Sequence, residues 1–231
     1  MKILGIDSSA KSASAAVLDN NKIIAHFYIN TGLTHSQTLM PMIESVLLNS
    51  GTKLTDIDLV AVNKGPGSFT GIRIGVAAAK GICDPLGIKI CGTSTLESMA
   101  YNLISHDCIA CAVMDARCSQ VYTALFDVSD GRIIRLTDDV AMSLDELSAM
   151  LKEYDKQKIL VGDGADLCYN YFGLTDESIK LAQESERYQN AVGVCLSSLK
   201  HTDEYVGSNE LVPEYLRLPQ AERESKNKLK G

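Results

Sequence analysis

The pattern of apolar and polar positions predicts a regular succession of strands and helices in the first half of the chain. Three apolar stretches come first, and the polar triplet at 19–21 is a turn signal between the last two. From Ser36 to Asn49 apolar residues recur every three or four positions, which indicates a helix that ends before Gly51. In order, the pattern predicts strands over 1–7, 13–18 and 22–28, a helix over 36–49, a strand over 59–62, a helix over 72–82, a strand over 88–91 and a helix over 95–103.

The second half of the chain repeats the first. An apolar strand closed by an aspartate occurs at Asp7 and again at Asp115, and each is followed by two more predicted strands and a helix. In the second copy this helix is predicted over 143–154, with Ser143 and Glu146 as a capping box, and the next strand over 159–161. The repeat implies a duplicated unit with a cleft between its two copies.

A duplicated unit of this order is the architecture of the actin, hexokinase and Hsp70 class. We therefore predict an α/β fold of two similar actin-like (ribonuclease H-like) lobes, each a mixed sheet of βββαβαβα type flanked by helices. The predicted lobes are residues 1–104 and 105–231. We expect the last helix to dock back on the first lobe and residues 219–231 to form a frayed tail, because they lack apolar periodicity.

Composition and charge narrow the classes of function. The 231 residues contain 22 Lys and Arg against 29 Asp and Glu, and this net charge of -7 excludes a stand-alone nucleic-acid binder held by phosphate neutralisation. No apolar run approaches the roughly 20 residues of a membrane-spanning helix. We therefore expect a cytoplasmic protein without membrane contact, and any role with RNA would need a basic partner.

The seven cysteines are predicted to be reduced core thiols. Only Cys108 and Cys111 have CxxC spacing, and they lie in a predicted strand, where residues three apart point to opposite faces. No histidine pair has metal-binding spacing either, since Leu39 stands one helical turn after His35. We expect no metal site and no cofactor on this chain; a nucleotide at the interface of a complex is the alternative.

A glycine-rich loop leaves the strand over 59–62 and opens the next helix. It matches neither a Walker A sequence nor a Rossmann fingerprint. One interpretation is structural, in which the glycines provide positive φ and close packing while Ser68 or Thr70 caps the helix. The other is contact with a ligand or partner, since a helix N-terminus attracts anions. The loop comprises Gly65, Pro66, Gly67, Ser68, Phe69, Thr70 and Gly71.

The turns after equivalent strands of the two halves form a candidate nucleotide cleft, vestigial in character. In the wider fold class, residues in these turns orient a metal-bound water or contact phosphates. Neither turn has the glycine-rich β-turn of strong ATPases of this class, so we do not expect tight ATP binding by this chain alone. The candidate cleft residues are Asp7, Ser8, Asp115, Arg117, Gly162 and Gly164.

The first predicted helix carries more apolar residues than one buried face needs. Seven of the ten residues over 39–48 are apolar, a stripe too wide to lie wholly against a sheet. Either the stripe is entirely core, or one side covers the sheet and the other binds a partner, for which flexible Met side chains are suited. The next helix, with Val76 and three alanines after it, is smooth enough to pack closely beside the first.

Together these motifs resemble the TsaB family, also called YeaZ, of bacterial tRNA threonylcarbamoyladenosine biosynthesis proteins. The resemblance spans nearly the whole chain, and the stretch from Gly65 to Gly75 is its most specific part. Its motifs are Ile6-Asp7-Ser8-Ser9, His35-Ser36, Gly65-Pro66-Gly67-Ser68-Phe69-Thr70-Gly71-Ile72-Arg73-Ile74-Gly75, Asp115-Ala116-Arg117, Gly162-Asp163-Gly164-Ala165 and Val212-Pro213-Glu214-Tyr215-Leu216-Arg217.

The resemblance implies a non-catalytic accessory subunit. Its larger relative TsaD carries an HxxxH metal site and threonylcarbamoylates N6 of the adenosine beside the anticodon, and Leu39 replaces the second histidine of that site here. TsaB proteins pair with TsaD through helices of the first half, TsaE, an ATPase, joins the pair, and tRNA is reached only through the complex. The implied partner-interface residues are Leu39, Met42, Ile43, Val46, Leu47, Arg73, Val76, Ala77 and Lys80.

Two other hypotheses remain open from the sequence. One is an autonomous enzyme of the actin fold, either a small-molecule kinase or a peptidase, which would act on its substrate without partners. The other is a homodimer that uses the same first-half helices when the partner is absent.

Overall fold

Each half of the chain folds around one mixed β-sheet in the computed structural model, which describes residues 1–217. The predicted frayed tail at 219–231 lies outside the described residues. The strands of the first sheet run in the order β3-β2-β1-β4-β5, with β1 antiparallel to β2 and parallel to β4. Their bounds are β1 (Lys2–Asp7), β2 (Ala13–Asp19), β3 (Lys22–Ile29), β4 (Leu59–Gly65) and β5 (Lys89–Ser94).

The second sheet repeats this topology. Its order is β11-β10-β6-β7-β8, and β6 is antiparallel to β7 and parallel to β10, as β1 is to β2 and β4. One extra strand, β9, pairs with β7. The bounds are β6 (Cys108–Arg117), β7 (Gln120–Ser129), β8 (Arg132–Arg135), β9 (Val140–Ser143), β10 (Lys158–Val161) and β11 (Ile179–Leu181). The prediction of two similar lobes is confirmed.

The helices begin and end where local capping dictates. Gly51, at φ 63°, ends the first helix in the left-handed conformation, as the sequence predicts. The second helix begins at Phe69, earlier than predicted, because the Ser68 side chain accepts a hydrogen bond from the Gly71 N–H. The capping box of Ser143 and Glu146 is confirmed. The helices are α1 (His35–Ser50), α2 (Phe69–Cys83), α3 (Thr95–Ala100), α4 (Leu144–Leu151), α5 (Ala165–Tyr171), α6 (Glu184–Arg187) and α7 (Ala191–Ser198).

The elements stack in five layers. Helices α1 and α2 cover one face of the first sheet, and α4 and α5 cover the outer face of the second. Between the sheets lie α3 and α7, which pack on each other and are exchanged between the halves: α3 covers the second sheet and α7 the first. The proposed boundary at residues 104 and 105 follows α3 and stays a prediction.

The inner strands of both sheets are buried on both faces. Cys108 and Cys111 illustrate this, since Cys108 belongs to the core between the sheets and Cys111 to the core under α4 and α5. The prediction that they point to opposite faces is confirmed. Among the described residues, no helix is both long and apolar enough to cross a membrane.

Candidate functional site

A cleft of about 410 Å³ lies between the lobes, where the loops after β1 and β6 approach each other. Its walls are residues 9–11, 66–69, 114–117 and 214–217, with Tyr122 and Asp163. The cleft therefore brings together the β1–β2 turn, the glycine-rich loop, the β6–β7 turn and a C-terminal segment. Of the candidate cleft residues, Asp115 and Arg117 line it directly.

The aspartates that close β1 and β6 make the same turn in both lobes. Oδ1 of Asp7 accepts a hydrogen bond from the Ser9 N–H at 2.9 Å, and Oδ1 of Asp115 accepts one from the Arg117 N–H at 2.7 Å. Their surroundings differ, because Asp115 is exposed whereas Asp7 is 1% exposed. The duplication thus extends to single hydrogen bonds, but only one of the two carboxylates faces solvent.

Asp7 lies beneath the cleft rather than in its wall. Burial raises the pKa of Asp7, although the hydrogen bond from the Ser9 N–H opposes the effect. Asn63 accepts hydrogen bonds from the hydroxyls of Thr93 and Ser98, at 2.8 Å and 2.7 Å. Asp7, Asn63 and Thr93 are buried polar residues on the carboxyl ends of β1, β4 and β5. Asp7 is not among the residues that line the cleft, and its contact with phosphate or a metal-bound water stays a prediction.

Ser8 is also buried and bonds to the glycine-rich loop. Its hydroxyl donates to the Gly71 carbonyl at 2.8 Å, and a Cβ at Gly71 would overlap the Ser8 carbonyl. The next residue, Ser9, accepts a hydrogen bond from the Ser68 N–H at 2.7 Å. Ser8 is therefore a structural contact of the loop, and the prediction that it lines a nucleotide cleft is wrong for this side chain.

Backbone N–H groups of the glycine-rich loop donate hydrogen bonds to acceptors within the same chain. The Gly71 N–H donates to the Ser68 hydroxyl, and the Ile72 N–H donates to the Ser68 carbonyl. Gly67, at φ 155°, lies so close to the Ser9 carbonyl that a Cβ would overlap it. Because these N–H groups are already bound, they do not form the cradle that a nucleotide phosphate requires. The geometry favours the structural interpretation of this loop.

Gly162 and Gly164 also have a structural role, in the second lobe. The Gly162 N–H donates to the Arg187 carbonyl at 2.6 Å, and the Gly164 N–H donates to the Val113 carbonyl at 3.1 Å. A Cβ at Gly164 would lie 2.9 Å from the carbonyl carbon of Met114. These glycines let the loop after β10 pack directly on β6, and the residues present do not fit a nucleotide phosphate.

Asp163, between these two glycines, is a cleft residue that the sequence analysis missed. Its Oδ1 accepts a hydrogen bond from the Gln189 side chain at 2.8 Å. Burial raises the pKa of Asp163, and the neighbouring Asp115 raises it further while Lys11 lowers it. The turn motif that contains Asp163 was visible in the sequence, but its orientation toward Lys11 depends on how the lobes meet.

The described residues offer no site for a metal ion. Over residues 1–217, no group of three or more His, Cys, Asp or Glu side chains is arranged to hold one. His35, the first residue of α1, is half-buried, and its Nε2 forms a hydrogen bond with the Ala10 carbonyl at 2.7 Å. This bond fixes the start of α1 to the β1–β2 turn, which is a structural use of the imidazole.

The face formed by α1 and α2 divides into a buried and an exposed half. Five of the predicted interface side chains are buried in the core of the first lobe in the free chain, and their contact with a partner stays a prediction: Leu39, Met42, Ile43, Val46 and Val76. The remaining four are exposed or half-buried: Leu47, Arg73, Ala77 and Lys80. Two residues absent from the prediction, Met40 and Leu48, are the exposed apolar side chains of α1.

Comparison with known proteins identifies the family. A family model described as TsaD, tRNA N6-adenosine threonylcarbamoyltransferase, matches residues 30–224. The tRNA threonylcarbamoyladenosine biosynthesis protein TsaB of Bacillus subtilis (strain 168) is 33% identical over 226 residues, which cover 96% of each chain. This chain belongs to the TsaB family.

Solved structures of similar fold agree with the two-lobed architecture of this TsaB-family member. YeaZ from Pseudomonas aeruginosa superposes with a TM-score of 0.80 at 22% identity, over 93% of this chain and 99% of that one. An activator of 2-hydroxyisocaproyl-CoA dehydratase from Clostridium difficile, solved with bound ADPNP, superposes with a TM-score of 0.50 at 14% identity, over 88% and 96%. The predicted actin-like fold class is confirmed.

Proposed function

We propose that this chain is a non-catalytic accessory subunit that binds and activates a TsaD-like catalytic subunit. The reaction served is N6-threonylcarbamoylation of the adenosine next to the anticodon in tRNAs that read codons beginning with A. A TsaE-like ATPase joins the pair, and we expect all three to work in the cytoplasm. Membership of the TsaB family supports the pathway, and the surface of α1 and α2 supports the binding role.

The exposed half of α1 is the observation that carries this proposal. Met40, Leu47 and Leu48 lie on one side of the helix, since they are separated by seven and eight residues. Leu48 is 81% exposed. Helix α2 packs next to α1 and presents Ala77, whose small side chain leaves room for a neighbouring helix, and the half-buried Lys80. An apolar ridge next to a smooth helix is suited to helix packing with another protein.

Catalysis is assigned to the partner for chemical reasons. The family resemblance puts a histidine pair in TsaD, and Leu39 stands at the second of those positions here, buried in the first-lobe core. The N–H groups of Ser68, Gly71 and Ile72 donate within the chain, so these three are not available to a phosphate in a kinase reaction. These features support neither an autonomous kinase nor a metal-dependent peptidase.

The acidic charge supports an indirect role with tRNA. A net charge of -7 repels the phosphate backbone, so we expect the catalytic subunit to supply most of the tRNA contacts.

In the absence of that subunit, we propose that the same face of α1 and α2 forms the interface of a homodimer. A sedimentation coefficient that rises with concentration in wild type, but not in Leu48→Asp, is the expected result.

The binding proposal is tested with two matched variants. Leu48→Asp places a charge on the exposed ridge of α1, and Ile134→Asp places one on β8 of the second lobe, where Ile134 is 57% exposed. We expect Leu48→Asp to weaken binding to the TsaD-like subunit by more than about tenfold, equivalent to about 1.4 kcal/mol, and Ile134→Asp to bind as wild type does. Equal binding by both variants would refute the interface.

The activating role needs a modification assay. This chain, its TsaD-like and TsaE-like partners, tRNA and threonylcarbamoyl-adenylate are combined, and each protein is left out in turn. Loss of product without this chain is expected. Full product in its absence would contradict the proposal.

A separate titration tests the enzyme alternative. Isothermal titration of this chain alone with ATP and magnesium is expected to show no micromolar binding, because the N–H groups of Ser68, Gly71, Gly162 and Gly164 already donate within the chain. Micromolar affinity together with ATP turnover, or peptide cleavage without partners, would favour an autonomous enzyme. This proposal also predicts that no cofactor is retained by the purified chain.

A further inference from the structure

The segment 211–217 crosses from the first lobe to the second along the wall of the cleft. It starts at Leu211, which is buried in the core of the first lobe and packs over Gly92. Residues 214–217 then line the cleft. We call residues 211–217 the C-terminal strap.

The strap is first fixed through its backbone. The Glu214 N–H donates to the Lys64 carbonyl at 2.7 Å, and the Glu214 side chain forms an ion pair with Lys64 at 3.4 Å. Gly65, at φ 143°, lies directly under the Glu214 carbonyl, which a Cβ would overlap. The first glycine of the family-motif loop therefore makes room for the strap.

The strap is next bound to the exposed face of α2. The Tyr215 hydroxyl accepts a hydrogen bond from Nε of Arg73 at 2.8 Å, and the Tyr215 and Phe69 ring centroids are 4.9 Å apart. The Arg73 guanidinium stacks on Phe69, 3.7 Å from the ring centroid. Stacking and the hydrogen bond together hold one guanidinium in a defined orientation on the surface.

At its far end the strap reaches the second lobe. Nη1 of Arg217 donates to the Ala116 carbonyl at 3.2 Å. Ala116 lies at the end of β6, just before the turn into β7, between the two cleft residues Asp115 and Arg117. Arg117, Cys118 and Ser119 all have positive φ, a conformation that non-glycine residues adopt only when their surroundings hold them. The strap is thus in a position to stabilise a turn that is locally unfavourable.

We propose that the C-terminal strap takes the place of a bridging ligand in the cleft and couples closure of the two lobes to partner binding through Arg73. In two-lobed proteins a bound ligand holds the lobes together by contacting both. Here the chain's own residues contact Lys64, Phe69 and Arg73 in the first lobe and Ala116 in the second. The coupling rests on the proposed function, whereas the bridging role does not.

Arg73 also indicates what the partner presents. Among residues 1–217, the hydrogen bond to Tyr215 is the one that this guanidinium donates, so its two Nη groups are available for a partner's carboxylate. A carboxylate bound there would hold the guanidinium over Phe69, in the orientation that binds Tyr215. Partner binding would then tighten the strap, and by linkage a tighter strap would favour partner binding by the same factor.

The test loosens the strap at the end away from α2. Arg217→Ala removes the bond to Ala116 without touching Arg73, and Val212→Ala is the matched control, since Val212 belongs to the strap and is 65% exposed. The full chain is used for hydrogen exchange by mass spectrometry and for binding to the TsaD-like subunit. Arg217→Lys, which retains a donor, is expected to fall between wild type and Arg217→Ala in both measurements.

We expect Arg217→Ala to speed amide exchange in the β6–β7 turn by at least about tenfold, with the core strands of the second lobe unchanged. We also expect it to weaken partner affinity by about fivefold, while Val212→Ala matches wild type in both measurements. Unchanged exchange in the turn would overturn the bridging role. Faster exchange with unchanged affinity would overturn the coupling. Failure of wild type to bind at all would refute the proposed function and the coupling, and the exchange result would still decide the bridging role.

Discussion

Two residues of α1, five positions apart, are expected to differ strongly in how much stability the protein loses when each is truncated to alanine. Ile43 is 2% exposed and packs in the core of the first lobe, whereas Leu48 is 81% exposed on the other side of the helix. We predict that Ile43→Ala destabilises the protein strongly and that Leu48→Ala does not. The pair separates residues that hold the fold from residues that are free to bind a partner.

The magnitudes follow from burial. Truncating a buried isoleucine to alanine costs about 2–5 kcal/mol, because apolar contacts are lost and a cavity remains. Ile43 is almost completely buried between α1 and the sheet, so we expect about 3 kcal/mol, or a fall in Tm of roughly 6–12 °C for a chain of this length. Leu48 has only about a fifth of its surface covered, and its truncation should change stability by less than about 0.5 kcal/mol.

The measurement is urea unfolding followed by circular dichroism, with thermal unfolding as a second probe. Both variants are alanine substitutions in one helix, so their helix propensities change little and the difference reports packing. A loss below about 1 kcal/mol for Ile43→Ala, or one above about 2 kcal/mol for Leu48→Ala, would mean that α1 is rotated from the orientation described.

Three further predictions concern glycines, thiols and a buried carboxyl. In α2, Gly81→Ala should stabilise by about 0.5–1 kcal/mol, because nothing lies within 4 Å of the added Cβ, whereas Gly71→Ala should destabilise by about 1–3 kcal/mol through overlap with the Ser8 carbonyl, as measured by urea midpoints. Cys118 is exposed, so the prediction of seven core thiols is wrong for this residue, and it should react rapidly with Ellman's reagent in the native protein. The other six thiols should react slowly because they are buried and burial raises their pKa values; several rapidly reacting thiols would contradict this core. Because burial raises the pKa of Asp7, the folded state binds its proton more tightly than the unfolded state, and stability is lost as pH rises through that raised pKa. Asp7→Asn should therefore lose less stability than wild type as pH rises above about 4, the ordinary pKa of an aspartate, and parallel pH profiles would show that Asp7 is not the group responsible.

Much of the fold was accessible from sequence because it depends on local patterns. The meander of β1, β2 and β3, the helix stop at Gly51 and the capping box at Ser143 each follow from a few neighbouring residues. The duplication was visible because Asp7 and Asp115 each close a strand of the same kind. The sequence analysis expected the last helix to dock on the first lobe, where α7 lies, but it did not predict that α3 covers the second sheet.

The arrangement of the cleft could be predicted from the sequence only in part. Asp7 and Asp115 both follow an apolar strand and accept the same hydrogen bond, yet one is buried and the other faces solvent. Which one faces the cleft depends on what covers each strand end, and the glycine-rich loop covers only the first. Tyr215 and Arg217 were recognised as a motif, but their contacts span more than 100 residues of sequence and could not be derived from spacing.

Helix α1 shows most clearly what the sequence determined and what only the tertiary structure decided. Its sequence determined that the apolar stripe is wider than one buried face, and therefore that some apolar surface would remain exposed. The sequence did not determine which half, because Leu39, Ile43 and Leu48 are chemically alike. The first sheet determines which half is buried, because it covers the side of α1 that bears Ile43. Burial is a property of the packed layers and not of the helix alone.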